Sequence, residues 1–251
     1  MQEVLVAAAI FLCLTAASLV SLLVSERLPA HYRHEDTHSV VRLAANIFVV
    51  MTSLVLGLLI NSSKNTFEAI DRNVHAFSTE LILLDRALRH YGPEGAVVRQ
   101  KLANYVRRAV DGTWVPEGAP VLDDRVAEAL LDEVGSALTA MRPTDPARVE
   151  LWRDAEVGYQ NVVRRRWALI QESEGTVPTA FILTVVTWLV LIFASYGYRA
   201  PRNAVVVMTL SVSAALIAGS IYLILDMSVP FSGPIKISPA PLQRAYQQIH
   251  G

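Results

Sequence analysis

Five polar or small residues in one apolar stretch are candidates for function, and their types suit the passage of ions better than the making of bonds. Asn46, Ser53, Gly57, Asn61 and Lys64 follow one another at steps of seven, four, four and three. On a helix of 3.6 residues per turn these steps fall near one face. Amides and hydroxyls inside lipid are costly and tend to face protein or water. One reading of the face is a pore lining. The other is a close helix contact, with small residues letting two backbones approach.

Other charged groups fit the same two themes. Arg72 lies two turns beyond Lys64 and, with Asp226 at the end of the last apolar run, is a candidate for a pore mouth or vestibule. A carboxylate there can also pair with a cation or stay solvated at a span end. Arg164, Arg165 and Arg166 form a basic run just before the third apolar stretch. It is expected to contact anionic lipid headgroups or to draw permeating anions. His31, His34 and His38 have a spacing a helix can turn into a metal site, but Glu35 and Asp36 beside them read as a solvated loop, so no metal site is assigned. There is no phosphate-cradling glycine loop, nucleophile elbow or zincin helix, and no cofactor motif. No paired His, Asp or Glu lies within the apolar runs, which speaks against an intramembrane enzyme.

The elements that must position these groups follow from the apolar mass. Of 251 residues, 53% are hydrophobic and 18% charged, against about a quarter charged in soluble proteins. A formal net charge of −1 gives no case for nucleic acid. Four runs are long enough to span a bilayer: 4–24, 40–60, 177–196 and 204–225. The first has Glu3 and no Lys or Arg before it and no small-residue cleavage site after it, so it reads as a span rather than a signal peptide. The single cysteine, Cys13, lies inside it.

The second run continues without a proline into a water-soluble stretch. There Phe67, Ile70, Val74, Phe77, Leu81, Leu84 and Leu88 recur at alternating steps of three and four, the seam of a packed helix. One helix from residue 42 to 91, about 75 Å long, is predicted to leave the membrane as the stem of a helical domain, with Gly92 and Pro93 ending it. The expected division is 1–60 as two spans, 61–175 as a cytoplasmic helical domain, 176–226 as a hairpin of two spans and 227–251 as an extended tail. Three further helices are expected in the domain. Their apolar faces are Val97, Val98, Leu102, Tyr105, Val106 and Ala109, then Leu122, Val126, Leu130, Val134, Leu138 and Met141, then Val149, Trp152, Tyr159, Val163 and Ile170. Asp111-Gly112 is predicted to end the first of these, and Pro146 to open the last.

The fold class is thus all-α, a polytopic membrane protein with a helical bundle inserted between spans two and three. Lys64, Arg72, Arg164, Arg165, Arg166, Lys236 and Arg244 lie on the domain side; Arg27, Arg33, Arg42, Arg199 and Arg202 lie on the other. Seven against five places the domain and both termini in the cytoplasm. Phe231, Ile235, Ile237 and Leu242 in the proline-rich tail are expected to be buried, with a short helix possible from Leu242 to Ile249.

The chain resembles the bacterial bestrophin-like membrane proteins over nearly its whole length. The residues that carry this are Thr52-Ser53-Leu54-Val55-Leu56-Gly57-Leu58-Leu59 with Lys64-Asn65, Tyr91-Gly92-Pro93-Glu94, Ala200-Pro201-Arg202-Asn203, Leu223-Ile224-Leu225-Asp226, Pro230-Phe231, Gly233 and Pro241-Leu242. Through that family the chain is distantly similar to bestrophins. The resemblance implies a homo-pentameric anion channel of the bacterial inner membrane with span two lining the pore. Where bestrophin pores narrow at bulky apolar side chains, this span offers Phe48 but also Asn46, Thr52 and Ser53. The rival reading is a non-conducting membrane scaffold whose helical domain binds another protein.

Overall fold

The structure is a computed structural model in which residues 2–24, 35–114, 125–173 and 178–251 are described, apart from the side chains of residues 2, 35–39, 41 and 199. Among the described residues there are eight α-helices and no strand: α1 Gln2–Val24, α2 Glu35–Tyr91, α3 Ala96–Thr113, α4 Arg125–Ala140, α5 Pro146–Ser173, α6 Thr179–Arg199, α7 Ala204–Met227 and α8 Ala240–His250. Four of them, α1, α2, α6 and α7, are long and apolar enough to cross a membrane. The chain divides into two compact units. One comprises Met1–Asn65 and Val177–Ser228, the other Thr66–Thr176 and Val229–Gly251, so that α2 belongs to both.

The apolar unit packs α1 against α6 and α7 around Leu14, Val185, Leu189, Phe193, Ala214 and Ile221. Close approach of α1 and α6 depends on Gly197, because a Cβ there would collide with the Ser18 carbonyl. Ser21 Oγ donates to the Ala194 carbonyl at 2.6 Å across the same crossing, and Phe48 of α2 meets Trp188 of α6 with ring centroids 6.4 Å apart. Between α6 and α7 the chain turns at Pro201. Asn203 then caps α7, its side chain accepting from Val206 N at 2.8 Å. Arg202 in that turn donates to the Leu23 carbonyl at 3.1 Å, a cation at the negative end of α1. That contact gives Arg202 a structural use beyond the charge balance of its loop.

The helical unit is built on the predicted α2 seam. Ile70, Val74, Phe77, Leu81, Leu84 and Leu88 are all buried, with Phe67 partly so. The helix ends at Tyr91, and Gly92 follows at φ 103°, where any other residue would be strained. A single 3-10 turn, Pro93–Gly95, leads into α3. Gly95 is required there, since a Cβ would lie 2.5 Å from the Leu88 carbonyl oxygen.

The predicted faces hold in large part, with single positions displaced. Val97 is exposed, while Val98, Leu102, Tyr105 and Val106 of α3 are buried; α3 runs through Asp111-Gly112 to Thr113. In α4, Val126 is 54% exposed and Ala127, Leu131, Val134 and Leu138 form the buried face. Leu122 lies outside the described residues. In α5 the buried line is Ala155, Val162, Arg166, Leu169 and Ile170, with Trp152, Tyr159 and Val163 at its margin. The tail is not wholly extended: an irregular strip gives way to α8 at Ala240. Phe231, Ile237 and Leu242 are buried in the helical core, whereas Ile235 is only partly covered.

Candidate functional site

The polar face of α2 points outward. Asn46, Ser53, Gly57, Asn61 and Lys64 are all exposed, and a Cβ added at Gly57 would meet nothing within 4 Å. The face is therefore not spent on close packing within the chain. On the other side of the same stretch Ala45, Thr52 and Ser63 are buried. Ser53 Oγ donates to the Val49 carbonyl at 2.8 Å, as hydroxyls in apolar helices commonly do. The Thr52 and Ser63 hydroxyls are buried with no hydrogen-bond partner among the described residues.

Within the helical unit, exposed α2 side chains continue a polar line. Arg72 is exposed and pairs loosely with Glu68 at 3.8 Å; both are solvated, so the pair contributes little. His75 Nδ1 lies 3.6 Å from an Asp71 carboxylate oxygen on the same line.

Asp226 lies in the last turn of α7. It is only 2% exposed and accepts from the Tyr222 hydroxyl at 3.4 Å, a long contact one helical turn away. Its carboxylate is thus covered within the chain rather than open to solvent.

The basic run splits. Arg164 and Arg165 are exposed, as a lipid or anion contact requires. Arg166 is 5% exposed and faces the helical core. Two of three consecutive helical positions can share a solvent face; the third is carried round to the buried side by the 100° step. There Arg166 borders a cavity of about 20 Å³, the scale of one water molecule, with Tyr105, Thr113, Trp114 and Phe231. Burial pushes the Tyr105 phenol well above its ordinary pKa, and the nearby Arg166 charge only partly offsets this. Tyr105 therefore stays a neutral phenol.

Nothing in the described residues resembles a reaction centre. No group of three or more His, Cys, Asp or Glu is placed to hold a metal ion among them. His31, His34 and the side chain of His38 lie outside the described residues. An open groove of about 730 Å³ between α4 and α5 is lined by Asp132, Ser136, Thr139, Glu156, Tyr159 and Gln160. Burial, then Asp132 and Glu156, raise the pKa of Tyr159. That is opposite to what a nucleophilic phenolate needs.

Sequence reasoning passed over one cluster. Asp85, 3% exposed in the α2 seam, accepts from Arg89 Nε at 2.8 Å and from Arg99 Nε at 2.7 Å. The signal was Asp85 and Arg89 at i and i+4, which by itself marks only an ordinary helical ion pair.

The family model described as Bestrophin-like domain matches residues 12–242. Among solved structures, the chain is similar to a bacterial bestrophin homologue from Klebsiella pneumoniae carrying a single substitution. The identity is 13%, 97% of each chain is covered and the TM-score is 0.66. A second single-substitution form of that homologue matches at 14% identity over 97% of each chain, with a TM-score of 0.62. A further crystal structure, described as a membrane protein, matches at 14% over the same share with a TM-score of 0.64. No curated protein sequence matches the chain significantly.

Proposed function

The chain belongs to the bestrophin-like family of membrane proteins, and from that premise we propose that it is a homo-oligomeric, anion-conducting channel whose pore is lined by α2. The observation that carries the proposal is the outward polar face of that helix. Asn46, Ser53 and Asn61 are exposed on a helix of a four-span unit. Left against hydrocarbon, the Asn46 and Asn61 amides would go unsolvated at a cost, whereas the Ser53 hydroxyl is already met by the Val49 carbonyl. Arranging several copies around an axis turns the face toward water and removes that cost. The lumen then carries polar groups without a fixed excess of acid.

The charge along α2 supports anions. Lys64 is the charged residue of the exposed face nearest the apolar run and Arg72 follows it, with Glu68 and Asp71 on the same line, and the apolar runs 4–24, 40–60, 177–196 and 204–225 hold no acidic residue. Cationic rings at a mouth raise the local anion concentration. In this reading the helical unit and both termini are cytoplasmic, the membrane is the bacterial inner membrane, and Arg164 and Arg165 meet anionic headgroups or arriving ions. A pentamer is the number expected by analogy.

The deciding experiment is flux. Purified full-length protein reconstituted in liposomes is expected to dissipate a chloride gradient faster than a potassium gradient. Sealed liposomes at every protein density, with the protein shown by imaging to be a monomer or closed dimer, would favour a non-conducting scaffold instead.

A further inference from the structure

The C-terminal helix is held at its far end by charge, in an arrangement that goes beyond conduction. The carbonyls of the last turn of any helix lack intrahelical donors. In α8 two of them are met from outside. Arg89 Nη2 donates to the Gln248 carbonyl at 2.6 Å, and Arg99 Nη2 donates to the Ile249 carbonyl at 3.2 Å. Arg89 comes from α2 and Arg99 from α3. Both are aimed by one buried carboxylate, since Asp85 takes the Nε–H of each, one on Oδ2 and one on Oδ1.

We propose that Asp85 is the positioning residue of a two-arginine clamp that seats α8, and that this seating is a reversible, salt-sensitive state of the helical unit. Asp85 does two things. It offsets the repulsion between two neighbouring guanidinium groups, and by occupying their Nε–H groups it leaves the Nη2 donors pointed at α8. The clamp then meets the negative end of the α8 dipole. Without the carboxylate the two cations would repel and turn to solvent. The Arg89 side chain is 44% exposed and that of Arg99 26%, so dissolved ions reach the contacts. An 11-residue helix has little stability once undocked, so release should also melt it.

Backbone hydrogen exchange on the full-length protein in detergent tests this. In Asp85→Asn, amides of 242–250 are expected to exchange about tenfold or more faster than in the unaltered protein, with α4 and α6 unchanged. Asp85→Glu should recover part of the protection, and raising NaCl should speed α8 exchange in the unaltered protein. Protection in Asp85→Asn within about twofold of the unaltered protein would overturn the clamp, as would acceleration spread evenly over α3, α4 and α5. Should Asp85→Asn fail to fold, Arg99→Gln takes its place: selective loss of α8 protection supports the clamp, and an undisturbed α8 refutes it.

Discussion

Trp114 Nε1 donates a 2.7 Å hydrogen bond to the carbonyl oxygen of Ile237. One indole thus joins the end of α3 to the irregular strip before α8, 123 residues later in sequence. The same ring stands edge-on to Phe231, centroids 5.7 Å apart and planes at 89°. The strip is closed on itself by Ile237 N donating to the Pro230 carbonyl at 2.8 Å. An indole suits this position because it covers apolar surface while supplying the one donor the carbonyl needs.

Trp114→Phe keeps a ring and removes the donor. The Ile237 carbonyl, in a buried residue, then loses its partner, at a cost of about 1–2 kcal/mol. Thermal unfolding should shift down accordingly, and exchange across residues 229–239 should rise. An unchanged unfolding midpoint together with unchanged exchange would mean that the strip is held by its apolar contacts alone.

The α2 face makes the sharpest functional prediction. Asn46→Leu with Ser53→Leu replaces its polar groups by side chains that water does not wet. Anion flux through reconstituted protein should fall by about tenfold or more if the face lines the path. Leu216→Ala on the exposed side of α7 is the control and should leave flux intact. Equal flux in all three proteins would remove α2 as the lining.

The two kinds of arginine in the 164–166 run should part company. Arg164→Gln with Arg165→Gln should leave the unfolding midpoint where it is, since both side chains are exposed. The pair of changes should weaken binding to vesicles rich in anionic lipid. Arg166→Ala should do the reverse, destabilising the helical unit by about 2–4 kcal/mol through the cavity it leaves. If all three positions behaved alike, the burial of Arg166 would not describe the protein in solution.

How far the sequence revealed this depends on the kind of signal. The α2 seam was legible because seven large apolar residues recur at three and four, a pattern few other arrangements satisfy. The α4 face held at Val134 and Leu138, with Leu130 and Met141 packed beside them, and failed in the first turn. Val126 and Leu130 look more apolar than Ala127, yet Ala127 is buried and Val126 is exposed. Arg166 was hidden in a run of identical residues, although its spacing of four from Val162 and three from Leu169 sets it on the buried line of α5. Asp226 carried the opposite error, since an acid at a span end is usually solvated and this one is covered. The outward direction of the α2 face was the least legible feature, because spacing defines a face but not what it meets.

Tyr105 links stability to alkaline pH. Its phenol is buried in the helical core, and burial raises its pKa far above the ordinary value near 10. Below about pH 10 both folded and unfolded chains hold the proton, and the side chain's contribution is complete. Above that pH the unfolded chain releases the proton while the folded chain keeps it. Unfolding is then favoured, and stability falls as pH rises. Tyr105→Phe removes this dependence, so its stability between about pH 10 and 11.5 should decline less steeply than that of the unaltered protein. Parallel alkaline unfolding curves for the two proteins would show that the phenol is reached by water in the native state.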